Sequence, residues 1–286
     1  MPKGIIIVAS DQHLGYENSN RKDFTNFLKY ISNRDDLQSL ILLGDLIDMW
    51  RRDVSGLFLE FSDVVGQLSN ISASKKMDVY IVPGNHDYHL IRLQDHGYEF
   101  KFYAQLPDPS ISKTAFEVDG IRYIFKHGWE FDLAQQPLIM EAMCHNMSDE
   151  AGHARSSIYN ILQVAKDYFD KELKEIIDYH NEQGHGYVEN LLTPPEDRLK
   201  QDNILTDVEK KAYSSVKPGE RLVFGHTHRP FVSTDHKIVN TGCWVKDAKV
   251  SNTFVEIEGE SIKLFQFENA DHITDITAEH YLDLTK

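Results

Sequence analysis

Short aliphatic runs, each ending at a turn, recur along the chain: Ile5–Val8, Leu40–Leu43 and Val79–Val82. Runs that are apolar throughout rather than alternating predict strands buried on both faces. Ile121–Phe125 and Leu222–Phe224 repeat the pattern, and Lys237–Val239, Thr253–Ile257 and Ile262–Phe265 read as later strands. Between the early strands the apolar spacing changes to three and four, in Phe24, Phe27, Leu28 and Ile31 and again in Leu57, Phe61, Val64, Val65 and Leu68. That spacing predicts helices with one buried face. Strand and helix alternate at the start of the chain, which predicts an α/β sheet with covered faces. Beyond Val232 the pattern turns strand-rich, so the sheet is expected to be mixed.

Between Trp129 and Gly219 the strand pattern fades. Ile158, Ile161, Leu162, Ala165, Phe169, Leu173, Ile176 and Ile177 recur at helical spacing, predicting a long amphipathic helix. Residues 130–219 therefore read as a helical insertion, packed on the body or forming a lid, within a single domain spanning 1–286. Glu182–Lys200, with Gly184, Gly186, Pro194 and Pro195, reads as a loop. A length of 286 residues suits one α/β domain carrying an insertion.

Composition narrows the chemistry. Cys144 and Cys243 are the only cysteines, so a disulfide framework or a four-cysteine zinc site is excluded, and any metal must be held by histidine and carboxylate. The net charge of −15 argues against an extended nucleic-acid groove, which is gripped by surplus lysine and arginine. The longest apolar run, Ile5–Ala9, falls far short of the roughly 20 residues that span a bilayer. With no transmembrane segment expected and no basic-then-apolar leader pattern, the expectation is a cytoplasmic protein. The histidine count of 14 is high, and several sit beside Asp, Asn or Gly where apolar runs end.

Those strand ends carry the candidate chemistry. Asp11-Gln12-His13 follows the first strand, and in extended backbone its outer side chains can converge on one ion. Gly44-Asp45-Leu46-Ile47-Asp48 follows the second, where Gly44 permits a tight turn and the Asp45 carboxylate could bridge two ions. Pro83-Gly84-Asn85-His86-Asp87 follows the third, His127-Gly128 the fourth and Gly225-His226-Thr227-His228 the fifth. Each motif alone is more often a turn or a capped histidine. Their joint placement changes that reading, because sites in open α/β sheets lie beyond the carboxyl ends of strands.

On these residues the chain resembles the calcineurin-like metallophosphoesterases: Asp11-x-His13, Gly44-Asp45-x-x-Asp48, Gly84-Asn85-His86-Asp87, His127 and Gly225-His226-x-His228 are that family's blocks in its order. The resemblance implies a four-layer αββα sandwich of two mixed sheets flanked by helices, and a dinuclear metal-dependent hydrolase. It implies that one ion is held by Asp11, His13, Asp45 and His228, and the other by Asp45, Asn85, His127 and His226. It further implies that His86 faces the scissile phosphate without binding metal and that Asp48 orients it.

Two divalent ions bring four positive charges against the two carboxylates of Asp11 and Asp45, so an acidic chain can still receive a phosphate. Such a pair clamps phosphoryl oxygens and supplies hydroxide near neutral pH from the water between them. His86 could then protonate the departing group. Nitrogen and oxygen donors without thiolate favour transition ions, manganese first, with Fe, Zn or Co as alternatives.

Within the family, Gly44-Asp45-Leu46-Ile47-Asp48-Met49-Trp50, Gly225-His226-Thr227-His228-Arg229-Pro230 and Asn240-x-Gly242-x-Trp244 look most like the UDP-2,3-diacylglucosamine hydrolases. Those enzymes typically carry Arg where this chain has His86, which places it in a related branch. The expected activity is hydrolysis of a phosphodiester or nucleotide pyrophosphate in a small substrate. The alternatives are a nuclease using the same residues or a non-catalytic scaffold, though a scaffold would be expected to have lost ligands. Trp50 and Trp244 are expected in the core rather than stacked on a base, and Cys243 is expected to pack. Arg51, Arg52 and Arg229 could meet phosphate or lie in solvent, and the sequence does not choose.

Overall fold

A computed structural model describes residues 4–52, 54–75, 77–94, 100–108, 110–111, 116–118, 120–132 and 198–285. The expected helix over 158–177 lies outside these residues, as do positions 182–197 of the expected loop. In chain order the strands are β1 (Ile5–Ala9), β2 (Leu37–Leu43), β3 (Asp78–Val82), β4 (Lys101–Phe102), β5 (Glu117–Val118), β6 (Ile121–Phe125) and β7 (Glu220–Phe224). They continue with β8 (Phe231–Ser233), β9 (Ile238–Asn240), β10 (Thr253–Glu258), β11 (Ser261–Asn269), β12 (His272–Asp275) and β13 (Tyr281–Leu282). The helices are α1 (Arg21–Ser32), α2 (Val54–Glu60), α3 (Ser62–Lys75) and α4 (Arg198–Ser215).

These strands form two sheets, ordered β12-β11-β10-β1-β2-β3-β4 and β13-β8-β9-β7-β6-β5. Strands β1 to β4 run parallel, whereas β10, β11 and β12 extend the first sheet antiparallel. Strands β6, β7 and β9 run parallel in the second sheet, with β5 antiparallel to β6, β8 antiparallel to β9, and β13 parallel to β8. Both sheets are mixed, as the strand-rich end of the chain predicts.

Strand alternation sorts the layers. Ile6 and Val8 of β1, Ile41 and Leu43 of β2, and Tyr80 and Val82 of β3 pack against Tyr123, Phe125, Val223, Val232 and Val239 of the second sheet. Their neighbours Ile7, Ala9, Leu40, Leu42, Val79 and Ile81 pack the other way, against Phe24, Phe27, Leu28 and Ile31 of α1 and Val64, Leu68 and Ile71 of α3. On the outer face of the second sheet, Leu222, Phe224 and Ile238 meet Val208 and Ala212 of α4. The result is the expected αββα order. Continuously apolar strands are required here because each side chain, up or down, enters a packed layer. A slip of one residue would exchange the two sets, so register is fixed by core shape.

Three local readings change. The helical spacing from Leu57 to Leu68 is split between α2 and α3, with Phe61 buried at the joint. Helix α4 begins at Arg198, inside the stretch read as loop to Lys200. The short strands β4, β5, β8, β12 and β13 were not legible as runs, since two to four residues carry too little periodicity. Trp244 is fully buried against Phe24, Phe27 and Phe267, and Trp50 is 2% exposed, so neither offers a face to a base.

The parallel strands in both sheets deliver the candidate residues to the same end of the sandwich. The loops are then laced together by backbone bonds: Asp11 N–H donates to Gly44 O at 2.9 Å, His13 N–H to Asp45 O at 2.8 Å, Gly225 N–H to His127 O at 2.8 Å and Trp244 N–H to Asp11 O at 2.9 Å.

Candidate metal centre

Seven non-glycine residues among those described have positive φ, and five of them are Asp11, His13, Asp45, His226 and His228. A left-handed backbone costs a residue with a Cβ about 1 kcal/mol or more, and persists where the surroundings impose it. Those five are all candidate ligands at strand ends. Two glycines allow the loops to close this far. A Cβ on Gly44, itself at φ 86°, would stand 2.1 Å from His127 Nδ1, and one on Gly84 would stand 2.1 Å from Asp45 Oδ1.

The donor atoms form a compact group. Asp11 Oδ1 lies 3.1 Å from His228 Nε2 and 3.9 Å from His13 Nε2, and the two imidazole nitrogens are 3.2 Å apart. Asp45 Oδ2 lies 3.6 Å from His13 Nε2 and 3.3 Å from His127 Nε2, so one oxygen is shared between two clusters. Its partner Oδ1 accepts from His86 N–H at 2.8 Å, which turns Oδ2 to the site. Asn85 Oδ1 is 3.2 Å from His127 Nε2. Ligands bound to one ion at tetrahedral angles stand roughly 3.3–3.6 Å apart, and these separations bracket that spacing. His226 is the exception. Its ring meets His127 edge-on at 5.2 Å, but its Nε2 points to Asp132 Oδ2, 3.2 Å away.

Two observations test whether these residues suit cations. Asp11 Oδ1 is buried and, apart from His228 Nε2 at 3.1 Å, has no hydrogen-bond partner, a costly state for a carboxylate oxygen unless positive charge compensates it. The local field points the same way: burial alone would lower the His127 imidazole, yet the Asp45 and Asp11 carboxylates push it up to about 10. Burial would likewise raise Asp45, but His127, His86 and His13 hold it well below the usual carboxylate range. His13 is lowered by its burial, outweighing the Asp48 hydrogen bond, which favours the neutral form that a ligand needs. His127 Nδ1 lies 2.8 Å from Leu43 O, so donation there occupies Nδ1 and aims Nε2 at the cluster, where an ion would take the place of its proton. The donor set therefore fits a dinuclear divalent-metal site, to which the residue groups Asp11–His13–His228 and Asp11–Asp45–His127 point, with Asp45 Oδ2 lying between His13 and His127.

Asp48 serves two histidines. Its Oδ1 is 3.0 Å from His86 Nδ1 and its Oδ2 is 3.2 Å from His13 Nδ1, while Arg51 pairs with Oδ2 and lies over the Tyr16 ring at 4.4 Å. Burial would raise Asp48, but His86, His13 and Arg51 keep it well below its ordinary value. His86 stacks on Trp50 at 4.0 Å between ring centroids and keeps 8% of its surface exposed, so it is fixed in orientation yet reachable. Arg52 pairs with Glu60 at 2.6 Å and Arg229 with Glu209 at 2.6 Å, so each of these two arginines faces a carboxylate.

Several supporting residues escape a sequence reading. Asp87 is fully buried and its oxygens accept backbone N–H bonds from Gly84 at 2.7 Å, Asp45 at 3.2 Å, Leu46 at 2.7 Å and Ile47 at 3.3 Å. Burial and the Asp45 carboxylate push Asp87 up to about 7 against those bonds. It ties the Gly84 loop to the Asp45 loop, a role its place in Gly84-Asn85-His86-Asp87 hints at without specifying. Asp87→Asn turns an amide NH₂ toward backbone donors, and is expected to cost about 2–3 kcal/mol in equilibrium urea unfolding. Ser10 Oγ contacts Asp11 Oδ2 and Thr241 Oγ1, fixing the carboxylate from β1 and from the loop after β9. Cys243 is buried beside His228; against burial, which lowers it, Cys243 and Asp11 push His228 well above its usual value.

Comparison with known proteins agrees with this chemistry. No curated protein matched the chain. Among solved structures the chain is similar to a predicted phosphoesterase from Streptococcus pneumoniae, at 16% identity and TM-score 0.33, covering 95% of this chain and 92% of that one. It is also similar to a dimetal phosphatase from Danio rerio, at 11% identity and TM-score 0.38, covering 97% and 99%, and to a cold-active protein-tyrosine phosphatase from a psychrophilic Shewanella, at 12% identity and TM-score 0.38, covering 97% and 81%. At these scores the likenesses carry no argument of their own. The family model for the calcineurin-like phosphoesterases, by contrast, matches residues 5–230, from β1 through the His226–His228 loop. The chain belongs to the calcineurin-like phosphoesterase family and is a metal-dependent phosphoesterase.

Proposed function

We propose that the chain hydrolyses a phosphodiester or nucleotide pyrophosphate bond in a small substrate, with Asp11, His13, Asp45 and His228 holding one ion and Asp45, Asn85, His127 and His226 the other. The observation that carries this reading is the single oxygen Asp45 Oδ2, within 3.6 Å of His13 Nε2 and 3.3 Å of His127 Nε2, with the His86–Asp48 pair beside it. Bound ions supply Lewis acidity and a water nucleophile active near neutral pH. The protein supplies the rest. Asp48 holds His86 through Nδ1, leaving Nε2 to carry a proton to the leaving oxygen. Trp50 packs on the imidazole face and prevents the ring from turning. Arg51 holds Asp48 ionised, so the pair keeps its polarity through turnover.

Manganese is the proposed native metal, on the mixed imidazole and carboxylate donors. An overall charge of −15 supports a small substrate over a nucleic-acid polymer, because attraction is confined to the centre rather than spread over a basic surface. No helix among the described residues is long and apolar enough to cross a membrane. Presence of His86, where the UDP-2,3-diacylglucosamine hydrolases typically have Arg, supports diester chemistry in a related branch.

The test is turnover by Mn-loaded protein on bis-p-nitrophenyl phosphate, p-nitrophenyl phosphate and a panel of nucleotide-diphosphate conjugates. Diester or pyrophosphate cleavage is expected to exceed monoester cleavage by at least about tenfold in kcat/KM, or ~1.4 kcal/mol. Equal or greater monoester activity would make the enzyme a phosphatase. Steep salt sensitivity on DNA or RNA would favour the nuclease instead.

A further inference from the structure

The loop bearing His226 and His228 is left-handed at both residues, with φ of 66° and 56°. Such a path is not held by the backbone alone. Much of what holds it comes from outside the motif. Glu209 on α4 is only 2% exposed, and a carboxylate tolerates that burial when it is paired and hydrogen-bonded. Its Oε1 accepts from Thr227 Oγ1 at 3.1 Å and Arg229 Nε at 3.0 Å, and its Oε2 accepts from Arg229 Nη2 at 2.6 Å. Thr227 and Arg229 alternate with the two histidines, so one set of side chains is drawn to α4 while the other is left to the metal centre. Asn240 on β9 completes the grip, donating to Gly225 O at 2.7 Å and Thr227 Oγ1 at 3.0 Å.

A second carboxylate acts on the ring itself. Asp132 follows the turn Trp129–Phe131, and its Oδ2 lies 3.2 Å from His226 Nε2. An Nε2–H donated there fixes the tautomer and leaves Nδ1 as the nitrogen that can meet an ion. We infer that Glu209 and Asp132 are positioning residues for the metal centre: Glu209 sets the backbone of the Gly225–His228 loop through Thr227 and Arg229, and Asp132 sets the ring of His226. This rests on the proposed assignment of His226 and His228 as ligands.

The experiment is equilibrium competition for Mn²⁺ between a chromogenic chelator and the full chain, comparing wild type with Glu209→Ala, Thr227→Val and Asp132→Ala, and with His226→Ala and His228→Ala as references. Glu209→Ala is expected to weaken Mn²⁺ binding roughly 10–100-fold, the range for losing a group that orients a ligand. Thr227→Val, which keeps the Glu209–Arg229 pair, is expected to weaken it on the order of tenfold, and Asp132→Ala to affect one ion and not both. In each variant kcat should recover at saturating Mn²⁺ with KM unchanged, a response that general loss of structure would not give. Thermal midpoints in EDTA report folding separately. Should Glu209→Ala fail to fold, the other two variants decide. Mn²⁺ affinity within twofold of wild type in both, while the histidine variants bind weakly, overturns the positioning roles. Unchanged affinity in the histidine variants as well would remove the ligand assignment, and this inference with it.

Discussion

Asp45→Asn should empty both metal positions together. The substitution keeps an acceptor for His86 N–H, which Oδ1 satisfies at 2.8 Å, and so removes the shared charge without opening a buried donor. What is lost is a charged oxygen that stands close to imidazoles of both clusters, 3.6 Å from His13 Nε2 and 3.3 Å from His127 Nε2. Metal analysis after gel filtration should fall from two ions per chain toward none, and kcat/KM by roughly 10³-fold or more, ~4 kcal/mol of transition-state stabilisation. His228→Ala is the contrast. Its Nε2 approaches Asp11 Oδ1 at 3.1 Å, in one cluster only, so one ion should weaken while the other stays. Two ions retained at full occupancy in the Asp45 variant would rule out the bridging role.

His86→Ala should do the opposite, leaving metal content intact while lowering kcat. A positioned acid or base contributes on the order of 10²–10⁴ in rate, roughly 3–5 kcal/mol. The size of the loss should depend on the substrate. An ester of p-nitrophenol, whose anion leaves without help, should suffer least, and an alkyl ester most, because only the latter needs the proton. Equal losses on both would remove His86 as the proton donor. Because His13, Asp48 and His86 also lie close enough to one another to hold an ion, metal analysis of the same variant is decisive in another way: an ion lost with His86 would make it a ligand.

The strand ends were readable because the chemistry is local there. Ile5–Val8 gives way to Asp11 and His13, and Leu40–Leu43 to Gly44 and Asp45, within a few residues, and the apolar run and the polar turn are both sequence properties. The eight apolar runs read as strands all form strands in the structure, with ends that move by a few residues. Phe24, Phe27, Leu28 and Ile31 are all fully buried, as their spacing requires. Asp87 was harder, because its worth lies in four backbone N–H groups that carry no side-chain identity. Asp132 and Glu209 were harder still. They sit 94 and 18 positions from the histidine and threonine they hold, with no spacing rule to connect them. Arg229 shows the same limit: next to the His226–His228 motif it could equally face phosphate, and only the buried Glu209 on α4 draws it away.

By itself the sequence determined which segments must be buried on two faces, where each ends, and that the ends carry oxygen and nitrogen donors but no paired thiols. These follow from periodicity and composition, which act over a few residues. The tertiary structure alone decided that Asp45 turns one oxygen to the site and the other to His86, that Asp48 serves two histidines, and that His226 faces Asp132. Those outcomes depend on distances between residues far apart in the chain, set by the packing of two sheets and α4, and no local rule encodes them.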